Sequence, residues 1–341
     1  MTEETQQAPQ VADAVVSVEH IKKYFPIKRG LLSSVVSGEN LFVKAVDDVS
    51  FYVKKGEVFG LAGESGSGKT TTGRLMLLLT DVSDGKVFFK GRDITKIPGG
   101  QLKPLRREMQ IIFQDPYESL DPRMSIKEIV AEPIRIQGLA RTEDEVEERV
   151  KKILTEVEMV PPEEFMWRFP HELSGGQRQR AAVARAFIVD PEFVVADEPV
   201  SMLDVSIRAE VLNAMLELVQ KRQVSFIYIT HDLALAKHVC DRIAVMYLGK
   251  IVEMGPTQEV IDNPLHPYTQ ALIAAIPVPD PNYRRGDLPI SGEIPSPLNP
   301  PAACRFNTRC PYAFQECTQV EPPLVELEPG HWAACHMVRK Y

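Results

Sequence analysis

The chain has 341 residues, 44% of them hydrophobic, with a net charge of −8 and a pI near 5.5. That length exceeds one typical domain and provides for a large core with an appendage, while the acidic balance argues against a broad nucleic-acid footprint, because neutralising phosphates takes clustered Lys and Arg. No apolar run approaches the ~20 residues that cross a bilayer, and the opening MTEETQQAPQ lacks the charged and apolar regions of a signal peptide, so a cytoplasmic chain is expected.

Val15 to Ile21 alternates as a strand and leads into Lys22-Lys23-Tyr24-Phe25-Pro26, whose aromatics serve either core packing or stacking on a nucleobase. Residues 28–42 read as a loop insertion that either touches a partner or folds back on the domain, with folding back favoured. Lys44 to Val53 and Gly56 to Gly63 are two further strands, and within the second Val58-Phe59-Gly60-Leu61-Ala62 is a buried run. It feeds Gly63-Glu64-Ser65-Gly66-Ser67-Gly68-Lys69-Thr70, which fits G-x-x-x-x-G-K-[ST], and a helix is expected over Thr71 to Thr80. Gly66 and Gly68 let backbone N–H groups turn inward on phosphate oxygens, and the helix that begins near Lys69 adds its positive N-terminus. Lys69 then pairs with the β- and γ-phosphates, and Thr70 offers a hydroxyl to Mg²⁺.

Gly85 to Ile94 reads as a strand pair with a glycine turn, and Met109 to Phe113 as a strand ending in Gln114. Gln114 is either a turn residue before Asp115-Pro116 or an amide that reaches from a strand's carboxyl end toward a metal or water. Ser125 to Val160 is helical in pattern, with a capping box at Thr142 and Glu145 and a stop at Pro161-Pro162. Leu173-Ser174-Gly175-Gly176-Gln177 opens a helix running to Val189 and makes a second anion-binding arrangement of N–H groups, hydroxyl and helix dipole. Phe193 to Glu198 is an apolar strand ending in two carboxylates; Asp197 suits Mg²⁺, and Glu198 suits orienting or deprotonating an attacking water. Ser201 to Asp204 is a turn, 206–220 a helix, and Val224 to Thr230 a strand that delivers His231 beside these loops.

Ile243 to Val252 reads as a hairpin and Thr257 to Ile261 as a short helix; the prolines between Ile276 and Pro301 mark a linker or wrapping arm. Cys304, Cys310, Cys317 and Cys335 crowd the end at spacings looser than a zinc ribbon, which leaves metal binding and inert buried thiols both open. Cys240 lies apart in a helical pattern and reads as packing.

Taken in order, Gly63 to Thr70, Gln114, Leu173 to Gln177, Val194 to Glu198, Ser201 to Asp204 and His231 resemble the Walker A, Q-loop, signature, Walker B, D-loop and switch histidine of an ABC transporter ATPase. The resemblance spans about residues 15–260. FQDPYESLDPRMSI (113–126), DEPVSMLDVSI (197–207), HPYTQAL (266–272) and the terminal cysteines are similar to the oligopeptide/dipeptide importers, in particular to their second, F-type ATPase subunit; Met202 stands where that family usually has Ala.

The resemblance implies an α/β fold, a P-loop NTPase of the ABC nucleotide-binding type with a RecA-like core, an antiparallel β subdomain and a helical subdomain. The ATPase domain would cover 15–262, with its helical subdomain about 115–175, after a mobile start over 1–14 and before a cysteine-containing extension over 263–341. It implies that Gly63, Glu64, Ser65, Gly66, Ser67, Gly68, Lys69, Thr70 and Thr71 hold ATP, with Tyr24 stacking on adenine and Phe25 as its substitute. Thr70, Gln114 and Asp197 would hold Mg²⁺, Glu198 would polarise water, and His231 would contact the γ-phosphate. Ser174, Gly175, Gly176 and Gln177 would grip the ATP bound by a partner, since two such domains face each other head to tail.

The implied partners are a second ATPase subunit, making a heterodimer, two transmembrane permease subunits and an extracytoplasmic solute-binding protein, with this chain peripheral on the cytoplasmic face of the membrane and no nucleic acid bound. A coupling helix of the permease would enter a groove of the helical region. A [4Fe–4S] cluster is implied on Cys304, Cys310, Cys317 and Cys335, with zinc as its rival. Oligopeptides are the default solute, and oligosaccharide and nickel importers use similar ATPases. A non-transport ABC ATPase is disfavoured by the short separation of Lys69 from Leu173 and the single P-loop, and an exporter by the missing membrane domain.

Overall fold

The computed structural model describes residues 13–27, 41–276, 290, 292–293, 295–300 and 302–338. Most of the expected mobile start, most of the insertion after Phe25 and most of the Pro-rich stretch lie outside the described residues. β1 (Ala14–Pro26) and β2 (Phe42–Lys54) pair antiparallel from Ala14↔Lys54 to Pro26↔Phe42. β1 therefore runs past the expected end at Ile21, because β2 continues to Phe42 and gives residues 22–26 a backbone partner.

Then come β3 (Val58–Ala62), α1 (Lys69–Met76), β4 (Asp84–Phe89) and β5 (Arg92–Asp93); the first sheet runs β2-β1-β4-β5. α2 (Gly99–Glu108) is a helix the sequence pattern hides, since two glycines and Pro104 give it poor propensity. Tertiary contact supports it: Arg106 donates to the Leu77 and Leu78 carbonyls, each at 3.1 Å. β6 (Met109–Ile112) follows.

The helical part comprises α3 (Pro116–Ser119), α4 (Ile126–Gln137), α5 (Glu143–Glu156), α6 (Pro162–Met166) and α7 (Gly175–Phe187). Gly138, left-handed at φ 69°, breaks the expected run between α4 and α5. Half of the expected capping box forms: Thr142 accepts the Glu145 N–H at 3.2 Å, while the Glu145 carboxylate takes the Arg141 N–H instead. Pro162 opens α6, where its missing N–H costs nothing, and α5 has already ended at Glu156.

The chain continues through β7 (Phe193–Asp197), α8 (Val205–Arg222), β8 (Ser225–Thr230), α9 (Leu233–Val239), β9 (Arg242–Tyr247), β10 (Lys250–Pro256), α10 (Thr257–Asp262), α11 (Pro267–Ala274), α12 (Gln315–Gln319), β11 (Val325–Glu328) and β12 (His331–Ala333). The second sheet runs β11-β12-β10-β9-β3-β8-β7-β6. Its members from β9 to β6 are parallel, and β10, β12 and β11 extend one edge antiparallel. β3 is buried on both faces: Phe59 and Leu61 pack with the first sheet and α1, and Val58 and Ala62 with the helical side.

The C-terminal residues are pinned to this edge. Glu253 of β10, fully buried, accepts the Leu265 and His266 N–H groups at 2.8 and 2.9 Å and pairs with His331 of β12 at 2.8 Å. His266 in turn caps α11 by accepting the Tyr268 N–H at 3.0 Å. Phe306 packs against Tyr247, Tyr268 and His266 with ring centroids 5.3 to 5.7 Å apart.

Burial pushes the His266 imidazole down to about 4, against the opposing pull of the Glu253 carboxylate. Below its ordinary value near 6.5 the unfolded chain takes up a proton that the folded chain refuses until about pH 4, so folding stability falls through that window, by up to ~3 kcal/mol. In His266→Asn, which keeps a capping acceptor, urea denaturation between pH 6.5 and 4 is expected to show a shallower decline than in the parent; equal slopes would remove His266 as the cause.

Candidate active site

The parallel strands end at one level. Ala62 pairs with Thr230, Asp197 with Ile229, and Ile112 with Ala196, so the residues that follow β3, β6, β7 and β8 emerge together at the carboxyl edge. Between β3 and α1 the loop from Gly63 to Thr70 turns sharply. Gly63 (φ 145°) and Gly68 (φ 106°) have no room for a side chain, since an added Cβ would lie 2.2 Å from the Met246 carbonyl and 2.3 Å from the Ala45 carbonyl respectively. Lys69 is buried and folds back on the loop, its Nζ donating to the Gly63 and Glu64 carbonyls at 2.8 and 3.0 Å. Burial pulls the Lys69 pKa down, against the opposing charges of Glu198, Asp197 and Glu64. Ser67 Oγ is buried with no hydrogen-bond partner among the described residues, a donor left over inside an anion cradle.

Thr70 Oγ1 donates to Asp197 Oδ1 at 2.8 Å. Burial raises the Asp197 pKa, the Thr70 bond partly offsets this, and Glu198 adds to the rise. These two oxygen donors are of the kind a hard cation takes, so the residues present fit Mg²⁺. Gln114 Nε2 donates to Glu198 Oε2 at 3.2 Å, and His231 Nδ1 lies 3.0 Å from the same oxygen. Glu198 itself, one residue past β7, adopts φ 45°, a left-handed conformation held by its N–H to the Ile229 carbonyl at 3.0 Å and by Ser201, which donates to its carbonyl through N–H and hydroxyl. Its side chain is 16% exposed, and that of His231 is 60% exposed. Lys69, Thr70, Gln114, Asp197, Glu198 and His231 thus meet in one place.

Other residues singled out in the sequence lie elsewhere or carry other partners. Ser174 caps α7 in a reciprocal box with Gln177, its Oγ accepting the Gln177 N–H at 3.3 Å and its own N–H donating to Gln177 Oε1 at 3.0 Å. Gly175 and Gly176 sit against Leu203 and Ile207, and a Cβ on Gly176 would lie 2.4 Å from the Ile207 side chain. Among the described residues no hydrogen bond joins Ser174 to Gln177 with the phosphate loop or Glu198. Tyr24 pairs with Lys44, next to the Ala45 carbonyl that touches Gly68, and so borders the phosphate loop. Its hydroxyl donates to Asp47, and Lys44 Nζ lies 5.4 Å over its ring; Phe25 is exposed with Lys23 over it.

Cys304, Cys310, Cys317 and Cys335 line one small cavity together with His336. Burial pushes the Cys304 thiol up to about 12 and raises Cys310 and Cys335 as well, each further raised by the neighbouring cysteines. Among the described residues, however, no three His, Cys, Asp or Glu form a group that could hold a metal ion, so the expected metal centre is not preformed here. Cys240 is buried packing, as its pattern indicated.

Sequence reasoning missed three residues that touch the loop or its flank. The Tyr268 hydroxyl accepts the Glu64 N–H at 2.9 Å; Arg309 reaches the Glu64 carboxylate at 2.7 and 3.2 Å; and Arg305 pairs with Asp47. The only signal was position, with Arg305 directly after Cys304 and Arg309 directly before Cys310.

Comparison with known proteins accords with this geometry. Residues 46–201 match the family model described as ABC transporter, and residues 252–317 the one described as oligopeptide/dipeptide transporter, C-terminal region. The chain is 45% identical over 328 residues to the oligopeptide transport ATP-binding protein AppF of Bacillus subtilis (strain 168), covering 95% of this chain and 98% of that one. It is 48% identical over 293 residues to a putative peptide import ATP-binding protein of Brucella ovis, covering 86% and 92%. Among solved structures it resembles, with a TM-score of 0.62, 25% identity and coverage of 71% and 98%, an ATP-binding cassette solved as a dimer in a post-hydrolysis state with ADP and Pi. The cbiO1 protein from Clostridium perfringens also matches at a TM-score of 0.62 and 25% identity, covering 74% and 92%. A phosphate loop facing a paired-carboxylate strand end on this sheet is therefore that of an ABC ATPase. The chain belongs to the ABC transporter ATP-binding proteins, and within them to those that carry the oligopeptide/dipeptide transporter C-terminal region.

The loop's shape allows a direct check. Gly68→Ala forces a side chain onto the Ala45 carbonyl at a φ that disfavours one, and is expected to cost about 2 kcal/mol or more of unfolding free energy in urea. Unchanged stability would contradict the loop geometry.

Proposed function

We propose that this chain is the ATP-hydrolysing subunit that energises a peptide importer, closing on ATP with a second, different ATPase subunit and opening after hydrolysis. What carries the reading is the convergence of Gln114 and His231 on one carboxylate oxygen of Glu198, beside the Asp197–Thr70 pair and Lys69. In this reading the loop from Gly63 to Thr71 takes the phosphates, and Lys69 leaves its carbonyl partners for the β- and γ-oxygens. Thr70, Asp197 and Gln114 would hold Mg²⁺, which would supply charge neutralisation on the phosphates. Glu198 accepts a hydrogen bond from the attacking water and polarises it; His231, the more exposed group, contacts the γ-phosphate. Tyr24 offers its ring to adenine at the loop's border.

Ser174, Gly175, Gly176 and Gln177 grip the ATP of the facing subunit; the helix N-terminus they form supports this role. The peptide solute is supported by the names of the relatives above, and the heterodimer by the likeness to F-type subunits. The permease pair and the solute-binding protein are the partners such an importer uses, with this chain peripheral on the cytoplasmic face; among the described residues no helix is long and apolar enough to cross a membrane. Tyr117, Ile136 and Trp167, each exposed on or beside α3, α4 and α6, are apolar contacts this helical region offers to a permease coupling helix. By this division residues 15–262 are the ATPase domain and 263–341 its extension.

Glu198→Gln keeps the shape of the carboxylate and its bond to Gln114 is replaceable, so ATP binding should persist while kcat falls by roughly a hundredfold or more. Phosphate release at the parental rate would sink the assignment of Glu198.

We also propose a [4Fe–4S] cluster at the cavity the four cysteines share; as no metal group is preformed there among the described residues, the cysteines would have to draw together and lose their protons to ligate it as thiolates. Protein purified without oxygen should then carry iron and acid-labile sulfide with a broad visible absorbance, lost in Cys317→Ser. Stoichiometric zinc or no metal would refute the cluster and leave the ATPase reading standing.

A further inference from the structure

We infer that Arg309 and Tyr268, both from the C-terminal region, are positioning residues for ATP: together they hold Glu64 so that the phosphate loop is set before the nucleotide arrives. Glu64 is the second residue of that loop and is gripped at both ends. Arg309 donates from both terminal nitrogens to its carboxylate, at 2.7 and 3.2 Å, and the Tyr268 hydroxyl accepts its N–H at 2.9 Å. The carbonyl of the same residue accepts from Lys69 Nζ at 3.0 Å and from the Ser67 N–H at 3.2 Å. One residue therefore connects the C-terminal region to the lysine and to the inner turn of the cradle.

The clamp is itself firmly based. Tyr268 is fully buried, 4.6 Å from Tyr247 and 5.4 Å from Phe306, and Arg309 lies over Tyr247 at 5.9 Å. A second arm runs parallel to it: Arg305 binds Asp47 and the Leu248 carbonyl, and Asp47 takes the Tyr24 hydroxyl at the loop's border.

Two considerations assign positioning rather than fastening. A loop with Gly63, Gly66 and Gly68 all at positive φ loses much conformational freedom when it is fixed, and an outside grip removes that loss from the binding step. The pair is buried on the Arg309 side and partly exposed at Glu64, and such an ion pair is a poor fastener, because desolvation of the guanidinium offsets its attraction.

This inference rests on the ATPase reading. Mg²⁺-ATP is titrated calorimetrically into the full-length chain, hydrolysis is followed on the same preparation, and melting is recorded without nucleotide. Arg309→Ala is expected to raise the ATP Kd and KM about tenfold with kcat within twofold, because Glu198, Gln114 and His231 are untouched. Arg309→Lys, which keeps one charged contact, should fall between, and Glu64→Gln, which keeps the loop's backbone and loses the ion pair, should reproduce the Arg309→Ala rise even where that variant folds poorly. An unchanged Kd in Arg309→Ala and Glu64→Gln, with only the melting temperature lowered, would overturn the inference, as would a fall in kcat at constant KM. Lys69→Ala separates the two readings: if it too keeps parental affinity the ATP site has been misplaced, and if it alone loses affinity only the clamp fails.

Discussion

The site depends on the register of three adjacent strands. β3 and β7 both pair in parallel with β8, with Ala62 opposite Thr230 and Asp197 opposite Ile229, so a hydroxyl one residue into α1 and a carboxylate at the end of β7 arrive 2.8 Å apart. A slip of one residue in the β7–β8 pairing would turn Asp197 to the other face of the sheet, and one in the β3–β8 pairing would shift the loop that carries Thr70; either would break that contact. The same edge delivers Gln114, Glu198 and His231 from three different loops to one oxygen. The sheet, buried on both faces, is rigid enough to hold this arrangement, while Glu198 steps out of the strand in a left-handed conformation that frees its side chain for the loops on either side.

Most of this was legible because its signals are local. The loop from Gly63 to Thr70 announces its turn by glycine spacing, β3, β7 and β8 are short unbroken apolar runs between turn signals, and Ser174 with Gln177 spells the cap of α7 three residues apart. What was not legible depends on distant partners. α2 contradicts its own propensity and is held by Arg106 reaching the end of α1. β11 and β12 have four and three residues, too few for a period to register, and exist as strands because β10 offers its edge about eighty residues earlier in the chain, Glu253 opposite Ala333. No feature near Arg309 says that its carboxylate is Glu64.

The C-terminal region accordingly has a physical role beyond covering a sheet edge. Small segments with few apolar residues do not fold alone, and here the missing core is borrowed: Phe306 joins Tyr247 and Tyr268, and His331 satisfies a fully buried Glu253. Once docked, the region presents two arginines inward, at Asp47 beside Tyr24 and at Glu64 within the phosphate loop. Its order and the geometry of the loop are therefore linked through side chains that the ATPase core does not itself contain.

That linkage has a direction. In the proposed ATPase reading the parts of the loop that take phosphate are glycine backbone, Lys69 and Thr70, and their conformation is fixed from within by β3 and α1. Glu64 is the position where the loop can also be held from outside without obstructing the cradle, because its side chain leaves toward Arg309 while its carbonyl stays with Lys69. In that reading Lys69 gives up two carbonyls to an incoming phosphate, while Glu64 stays tied at its N–H by the Tyr268 hydroxyl and at its carboxylate by the Arg309 guanidinium. The loop can thus exchange its internal partner for a ligand without losing its shape, which is what preorganisation of a phosphate site requires.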